Sequence, residues 1–140
     1  MRPYKIILFL LVFVPALASA QCKTFTKNKA LPKLNEYVQS GIYNSTRMFP
    51  GDDAEIMVTF FSGRYYRLVV VAHPILGEAE FTISDIKGEQ IYCNEDAQNK
   101  EMFDFKFENT QQLVIKVKVP EQTSVIQHIG CISIVSGYKR

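Results

Sequence analysis

The sequence predicts an all-β domain: an antiparallel two-sheet β-sandwich, jelly-roll-like, with about eight strands and a short N-terminal arm or helix. Three observations carry that prediction. From Ile42 onward apolar and polar residues alternate with a period of two. Turn signals at Pro50-Gly51-Asp52, Ser62-Gly63 and Lys87-Gly88 cut the alternating stretches to strand length. No series of helical patterns alternates with the strands, which removes the parallel-sheet classes. A closed barrel is the rival architecture, because turn chemistry does not set strand order.

The chain begins with a leader. Arg2 and Lys5 precede the apolar run Ile6 to Val14, which stops at Pro15 and gives way to Ala16-Leu17-Ala18-Ser19-Ala20. A charged start, an apolar stretch and a small-residue end are the parts of a secretory signal, with cleavage expected after Ala20. The run is well short of the roughly 20 residues a membrane-spanning helix needs. Cys22 lies near the cut, but Gln21 rather than a small residue precedes it, which argues against a lipid anchor. The expected domains are 1–20 as signal peptide, 21–41 as arm or short helix, and 42–140 as the β-sandwich. The expected location is periplasmic or secreted, with no membrane insertion after signal removal.

Lys23 to Lys29 is polar and basic, and Leu31, Leu34, Tyr37 and Val38 then fall near one helical face before Ser40-Gly41 interrupts the pattern. The segment reads as a short helix, with Pro32 in a first turn, or as an extended arm. Ile42 to Met48 is the first strand. Ile56, Val58 and Phe60 alternate with Met57, Thr59 and Phe61, and Tyr66, Leu68, Val70 and Ala72 alternate with Tyr65, Arg67, Val69 and Val71. Two apolar faces predict that both strands are central or well covered. Phe81 and Ile83 run toward Lys87-Gly88, which turns the chain into Gln90 to Cys93 as a hairpin. In Phe103 to Glu108 the rings alternate with charges and belong inside, and the same logic fits Leu113 to Val119. The last strand is expected over Ile129 to Val135.

The chain has 16 Lys and Arg and 14 Asp and Glu; without Arg2 and Lys5 the positive count falls to 14 and the formal charge to zero. Nucleic acid and acidic membrane surfaces are thereby excluded as expected partners. Cys22, Cys93 and Cys131 allow one internal bridge in an oxidising compartment and leave one thiol over, read as a buried, inert strand cysteine. Spacing does not choose among the three pairings.

Gly41-Ile42-Tyr43-Asn44-Ser45-Thr46, Pro50 to Glu55, Phe60 to Arg67, Ser84-Asp85, Gly130-Cys131, and above all Phe103-Asp104-Phe105 leading to Thr110-Gln111-Gln112-Leu113 resemble a group of small secreted Bacteroidota proteins without an assigned activity. The order of strands and turns also resembles the β-sandwich domains appended to secreted bacterial peptidases, a likeness of fold alone. Members of the secreted group carry a second cysteine and a proline soon after the N-terminal cysteine, whereas Ala30 precedes Leu31-Pro32 here. That resemblance implies that Ala30 stands in a lost partner's place and that Cys22 is the unpaired thiol.

The search for chemistry yields no catalytic, cofactor-binding or metal residue. His73 and His128 sit beside apolar segments with no ligand set at metal spacing. No Gly-x-Ser-x-Gly nucleophile turn is present. Asp52-Asp53-x-Glu55 and Asn94-Glu95-Asp96 carry the oxygen ligands calcium favours, but turns favour the same residues for their backbone hydrogen bonds. Tyr43, Tyr65, Tyr92 and Tyr138 are the aromatic residues available for a glycan platform in a chain without tryptophan; of Tyr65 and Tyr66, one faces outward. Asn44-Ser45-Thr46 matches a glycosylation acceptor that matters only in a eukaryotic secretory route. What remains is a non-enzymatic accessory or interaction role. Its expected partner is another envelope or secreted protein, received along Ala54 to Phe61 or the C-terminal strand, with a small-ligand or glycan binder as the alternative.

Overall fold

A computed structural model describes residues 21–98 and 101–140. The expected signal peptide lies outside the described residues. Eight strands form two four-stranded antiparallel sheets: β1 (Val38–Met48), β2 (Asp53–Phe60), β3 (Tyr65–Ala72), β4 (Glu80–Asp85), β5 (Gln90–Cys93), β6 (Met102–Lys106), β7 (Gln111–Lys118) and β8 (Gly130–Lys139). One sheet, here sheet A, has the order β1-β8-β3-β6, and sheet B has the order β2-β7-β4-β5. Only β4 and β5 are consecutive strands within one sheet; every other connection crosses the sandwich. This is the eight-strand jelly roll.

The core follows from the period-two pattern. Tyr66, Leu68, Val70, Ile132 and Ile134 of sheet A bury against Phe60, Phe81, Ile83, Leu113, Ile115 and Val117 of sheet B. Phe103, Phe105 and Phe107 pack against that core while Asp104, Lys106 and Glu108 are exposed, as the alternation requires. The Phe60 ring meets Tyr66 and Phe105 edge-on at 5.0 and 4.9 Å, the arrangement the ring quadrupoles favour. The Tyr66 hydroxyl accepts the Phe61 N–H at 3.0 Å, which satisfies a phenol that would otherwise be buried dry.

Two strand ends and one expectation of cover differ most from the sequence reading. β1 starts at Val38 rather than Ile42, because Ser40-Gly41 makes a bulge inside the strand instead of ending a helix. Gly41 has φ +81°, and Ser136 ties the bulge together: its hydroxyl accepts from Ile42 N–H at 3.1 Å and donates to Ser40 C=O at 2.6 Å. β8 continues past Val135 to Lys139. β2 carries two apolar faces yet is an edge strand, with Met57 60% and Phe61 just beyond its end 52% exposed, so nothing among the described residues supplies the expected cover. β3 does lie in the middle of its sheet, with both faces buried.

The cover on β3 comes from the N-terminal arm, which is helical. Residues 21–25 form an α turn that widens to a π turn over Thr26–Ala30 and tightens to a 3-10 turn over Leu31–Leu34, with Pro32 at its start. The widening begins where the Thr26 hydroxyl donates to Cys22 C=O at 2.9 Å, competing for the carbonyl an α-helical N–H would use. Ala30, Leu34 and Tyr37 then bury against Val69, Val71 and Val135, a second small core on the outer face of sheet A. Arg67 anchors the same seam. Its guanidinium donates to both Asp104 carboxylate oxygens at 2.7 Å and to Lys33 C=O at 3.2 Å, and stacks 4.6 Å from the Tyr37 ring.

A disulfide joins Cys22 to Cys131 with Cα atoms 5.4 Å apart, and Cys93 is the free cysteine. The expectation of an unpaired Cys22 is therefore corrected. The arm lies across the start of β8 and brings Cys22 to Cys131, so Cys22 needs no partner at position 30, where Ala30 is buried in the second core.

Candidate functional site

A sandwich has four edges, and three of these are blunted. β1 carries the Gly41 bulge. β6 alternates Asp104 and Lys106 in water. β5 is four residues long with a register shift against β4. Bulges, charges and shortness are the devices that stop an edge from pairing with another chain. β2 has none of them over its second half. Its register with β7 runs unbroken from Asp53↔Lys118 to Phe60↔Gln111, and its charges, Asp53 and Glu55, sit at one end. The other expected acceptor, the C-terminal strand, is corrected: β8 lies between β1 and β3, and its backbone is paired on both sides.

Along the free edge of β2 runs an open groove of about 460 Å³ lined by Gly41 to Asn44 and Ile56 to Val58. Inward-facing Ala54, Ile56 and Val58 fix the strand on the core, so Met57, Thr59 and Phe61 point outward by alternation. The Thr110 hydroxyl accepts Ser62 N–H at 3.0 Å and pins the end of the strand. A second exposed apolar group lies in the β7–β8 loop, where Val125 is fully exposed and Ile126 68% exposed.

The two acidic clusters differ in what they bind. Asp52 caps its own turn by accepting Phe49 N–H at 2.8 Å, and Asp53 pairs with Lys116 at 3.0 Å, so this cluster is engaged locally. Asn94 is buried: its side chain accepts Phe81 N–H at 2.8 Å and donates to Ala79 C=O at 2.9 Å, clamping the start of β4. Glu95 joins Glu80 and Cys93 instead, with the three ligand atoms within 4.8 Å of one another. A sulfur with two oxygens suits a borderline cation such as zinc with a position left open, not calcium. Sequence reasoning missed this group because Glu80 is remote from Cys93 in the chain. The expected β4–β5 hairpin held the signal, since it places Thr82 opposite Cys93 and Glu80 beyond it. Burial raises the pKa of the neighbouring Tyr92 hydroxyl, whose ring stacks 3.9 Å from Phe103.

His73 is exposed and caps a 3-10 turn, its Nδ1 accepting Ile75 N–H at 3.2 Å, while His128 lies exposed in the β7–β8 loop. Neither joins a cluster of metal-ligating groups among the described residues. Tyr65 is the outward member of its pair, 47% exposed, against 5% for Tyr66. Tyr43 and Tyr65 share the outer face of sheet A but lie roughly 16 Å apart, judged from four residues along the strands and two strand spacings. Tyr92 and Tyr138 pack partly inward. The four tyrosines do not form one platform.

No family model matches the chain, and no curated protein sequence matches it. Among solved structures, the chain is similar to Aeromonas hydrophila PliG, a periplasmic lysozyme inhibitor of g-type lysozyme, at 9% identity and a TM-score of 0.52, covering 74% of this chain and 89% of that one. That likeness is one of fold. A de novo designed double-stranded β-helix aligns over 71% of this chain and 100% of its own at 12% identity, with a TM-score of 0.32, too low to bear on the architecture. Among the described residues no helix is long and apolar enough to cross a membrane.

Proposed function

We propose that this chain is an exported, non-enzymatic protein-binding module that receives its partner as an added strand along β2. The observation that carries the reading is the unprotected half of that strand, Ile56 to Phe60, uncharged, unbulged and open on one side. Backbone N–H and C=O groups on a free edge supply affinity, and exposed Met57 and the neighbouring Phe61 supply apolar contact on one face. Export is supported by the leader over residues 1–20 and by the Cys22–Cys131 disulfide, which belongs to an oxidising compartment. The fold shared with a periplasmic enzyme inhibitor fits the same kind of role, and membership of the small secreted group suggested by Phe103 to Leu113 is compatible with it.

The test is co-purification from native envelope and secreted fractions after mild cross-linking, run side by side for the wild type and Met57→Lys. A charge at an outward position leaves the core intact and blocks edge pairing. The expected result is one stoichiometric protein partner with the wild type and its loss with the variant. A wild type recovered alone would overturn the protein-binding reading, and a partner retained equally by both would overturn the assignment to β2. Purified g-type lysozyme is the first defined partner to try, because it is the target of the protein that shares the fold.

A further inference from the structure

A second site lies on the outer face of sheet A, independent of the β2 edge. Arg47 on β1 is directly opposite Cys131 on β8, and His73, just after β3, donates its N–H to Cys131 C=O at 2.8 Å. The three residues therefore form a row across the sheet. Cys131 leaves the outer face to reach Cys22 in the arm, and a directly opposed residue shares that face, so Arg47 projects toward the arm. His73 faces it too, its ring 5.9 Å from that of Phe25.

The seam between arm and sheet holds an open pocket of about 430 Å³. Its polar groups are Lys29, Arg47, His73 and the arm residues Gln21, Thr24 and Asn28, its apolar surface comes from Phe25, Ile75 and Ile129, and no carboxylate lines it among the described residues. Lys29 and Arg47 make no ion pair among the described residues, unlike Lys33, Arg67, Lys116 and Lys139. Because His73 Nδ1 accepts the Ile75 amide, the proton of the neutral ring sits on Nε2, which leaves a donor rather than an acceptor at the ring's far end. Two positive charges and a ring N–H beside an apolar surface match an anion with a hydrocarbon body.

We infer that this pocket binds a small organic carboxylate carrying an apolar group. Arg47 pairs with the carboxylate, whose planar geometry suits a guanidinium fork, Lys29 and His73 supplement it, and the hydrocarbon lies against Phe25, Ile75 and Ile129. The Cys22–Cys131 disulfide holds the arm wall against the sheet, so the pocket depends on the oxidised protein.

The test uses the oxidised mature protein and three probes: phenylacetate, the neutral phenylacetamide and inorganic phosphate, followed by amide chemical shifts in NMR titrations. The expected result is saturable phenylacetate binding with shifts centred on Phe25, Arg47, His73 and Gly130, and binding of phenylacetamide and phosphate about tenfold weaker or more. Arg47→Gln, an exposed substitution that leaves the fold intact by circular dichroism, lowers phenylacetate affinity about tenfold, and Arg47→Lys restores part of it. Equal binding of acid and amide, equal binding of phosphate, an unchanged affinity in Arg47→Gln, or no saturable shift by about 10 mM would each overturn the inference.

Discussion

Removing the disulfide by replacing Cys22 and Cys131 with Ser, in a Cys93→Ser background that prevents mispairing, is expected to cost the domain a large part of its stability. The two cysteines are 109 residues apart, so the bridge closes a loop that contains most of the described residues. In the chain-entropy description a loop of that size removes about 16 cal/mol/K from the unfolded ensemble, about 4.8 kcal/mol at 25 °C. Domains of this kind have roughly 5–15 kcal/mol in total, so the loss decides whether the protein stays folded at growth temperature. Urea unfolding followed by far-UV circular dichroism reads the difference, and the melting temperature is expected to fall by roughly 10–20 °C. A loss below about 1 kcal/mol would refute the reasoning. It would mean that the arm contributes its contacts without constraining the unfolded chain.

Two further substitutions test the packing. Gly130→Ala builds a Cβ 2.7 Å from Leu76 Cγ, a fully buried side chain, and is expected to destabilise by about 1–3 kcal/mol in the same urea assay; no change would mean that the β8 entrance is looser than its geometry. Asn94→Ala leaves the Phe81 N–H without its acceptor and is expected to cost about 1–3 kcal/mol, with faster hydrogen exchange at Phe81 and its β4 neighbours as the local sign.

Period-two alternation made β6 and β7 legible, because charges beside rings or aliphatic residues leave one choice of inner face. The Lys87-Gly88 hairpin was legible for a local reason as well: the Asp85 carboxylate accepts both Lys87 and Glu89 N–H groups, and Gly88 has φ +89°. At the β2 edge and along the arm, local signals failed. Met57 and Phe61 look like covered residues, since an apolar face reads the same whether a neighbour or water lies above it. Ser136 and Gly137 look like a strand end, yet Ser136 fills the β1 bulge and Gly137 lets the arm approach, where an added Cβ would sit 3.0 Å from Tyr37 Cβ. The Cys22–Cys131 pairing and the Lys29–Arg47–His73 pocket depend on segments distant in the chain, so residue spacing alone carried no trace of them, whereas the Glu80–Cys93–Glu95 group follows from the β4–β5 hairpin once its register is drawn.

The β2 edge also constrains what its occupant can be. A strand added there enters a groove bordered on its far side by Gly41 to Asn44. Pairing between two copies of β2 is not blocked by charge: in an antiparallel register centred on Met57 and Val58, Asp53 and Glu55 of one copy oppose the uncharged positions Ser62 and Phe60 of the other. Net charge offers little added resistance, since residues 21–140 are formally neutral. An edge left open on three grounds, in charge, in bulging and in cover, is a liability unless a partner occupies it. That asymmetry, three blunted edges and one bare one in the same sandwich, is the physical reason to look for the partner at β2 and nowhere else along the sheets.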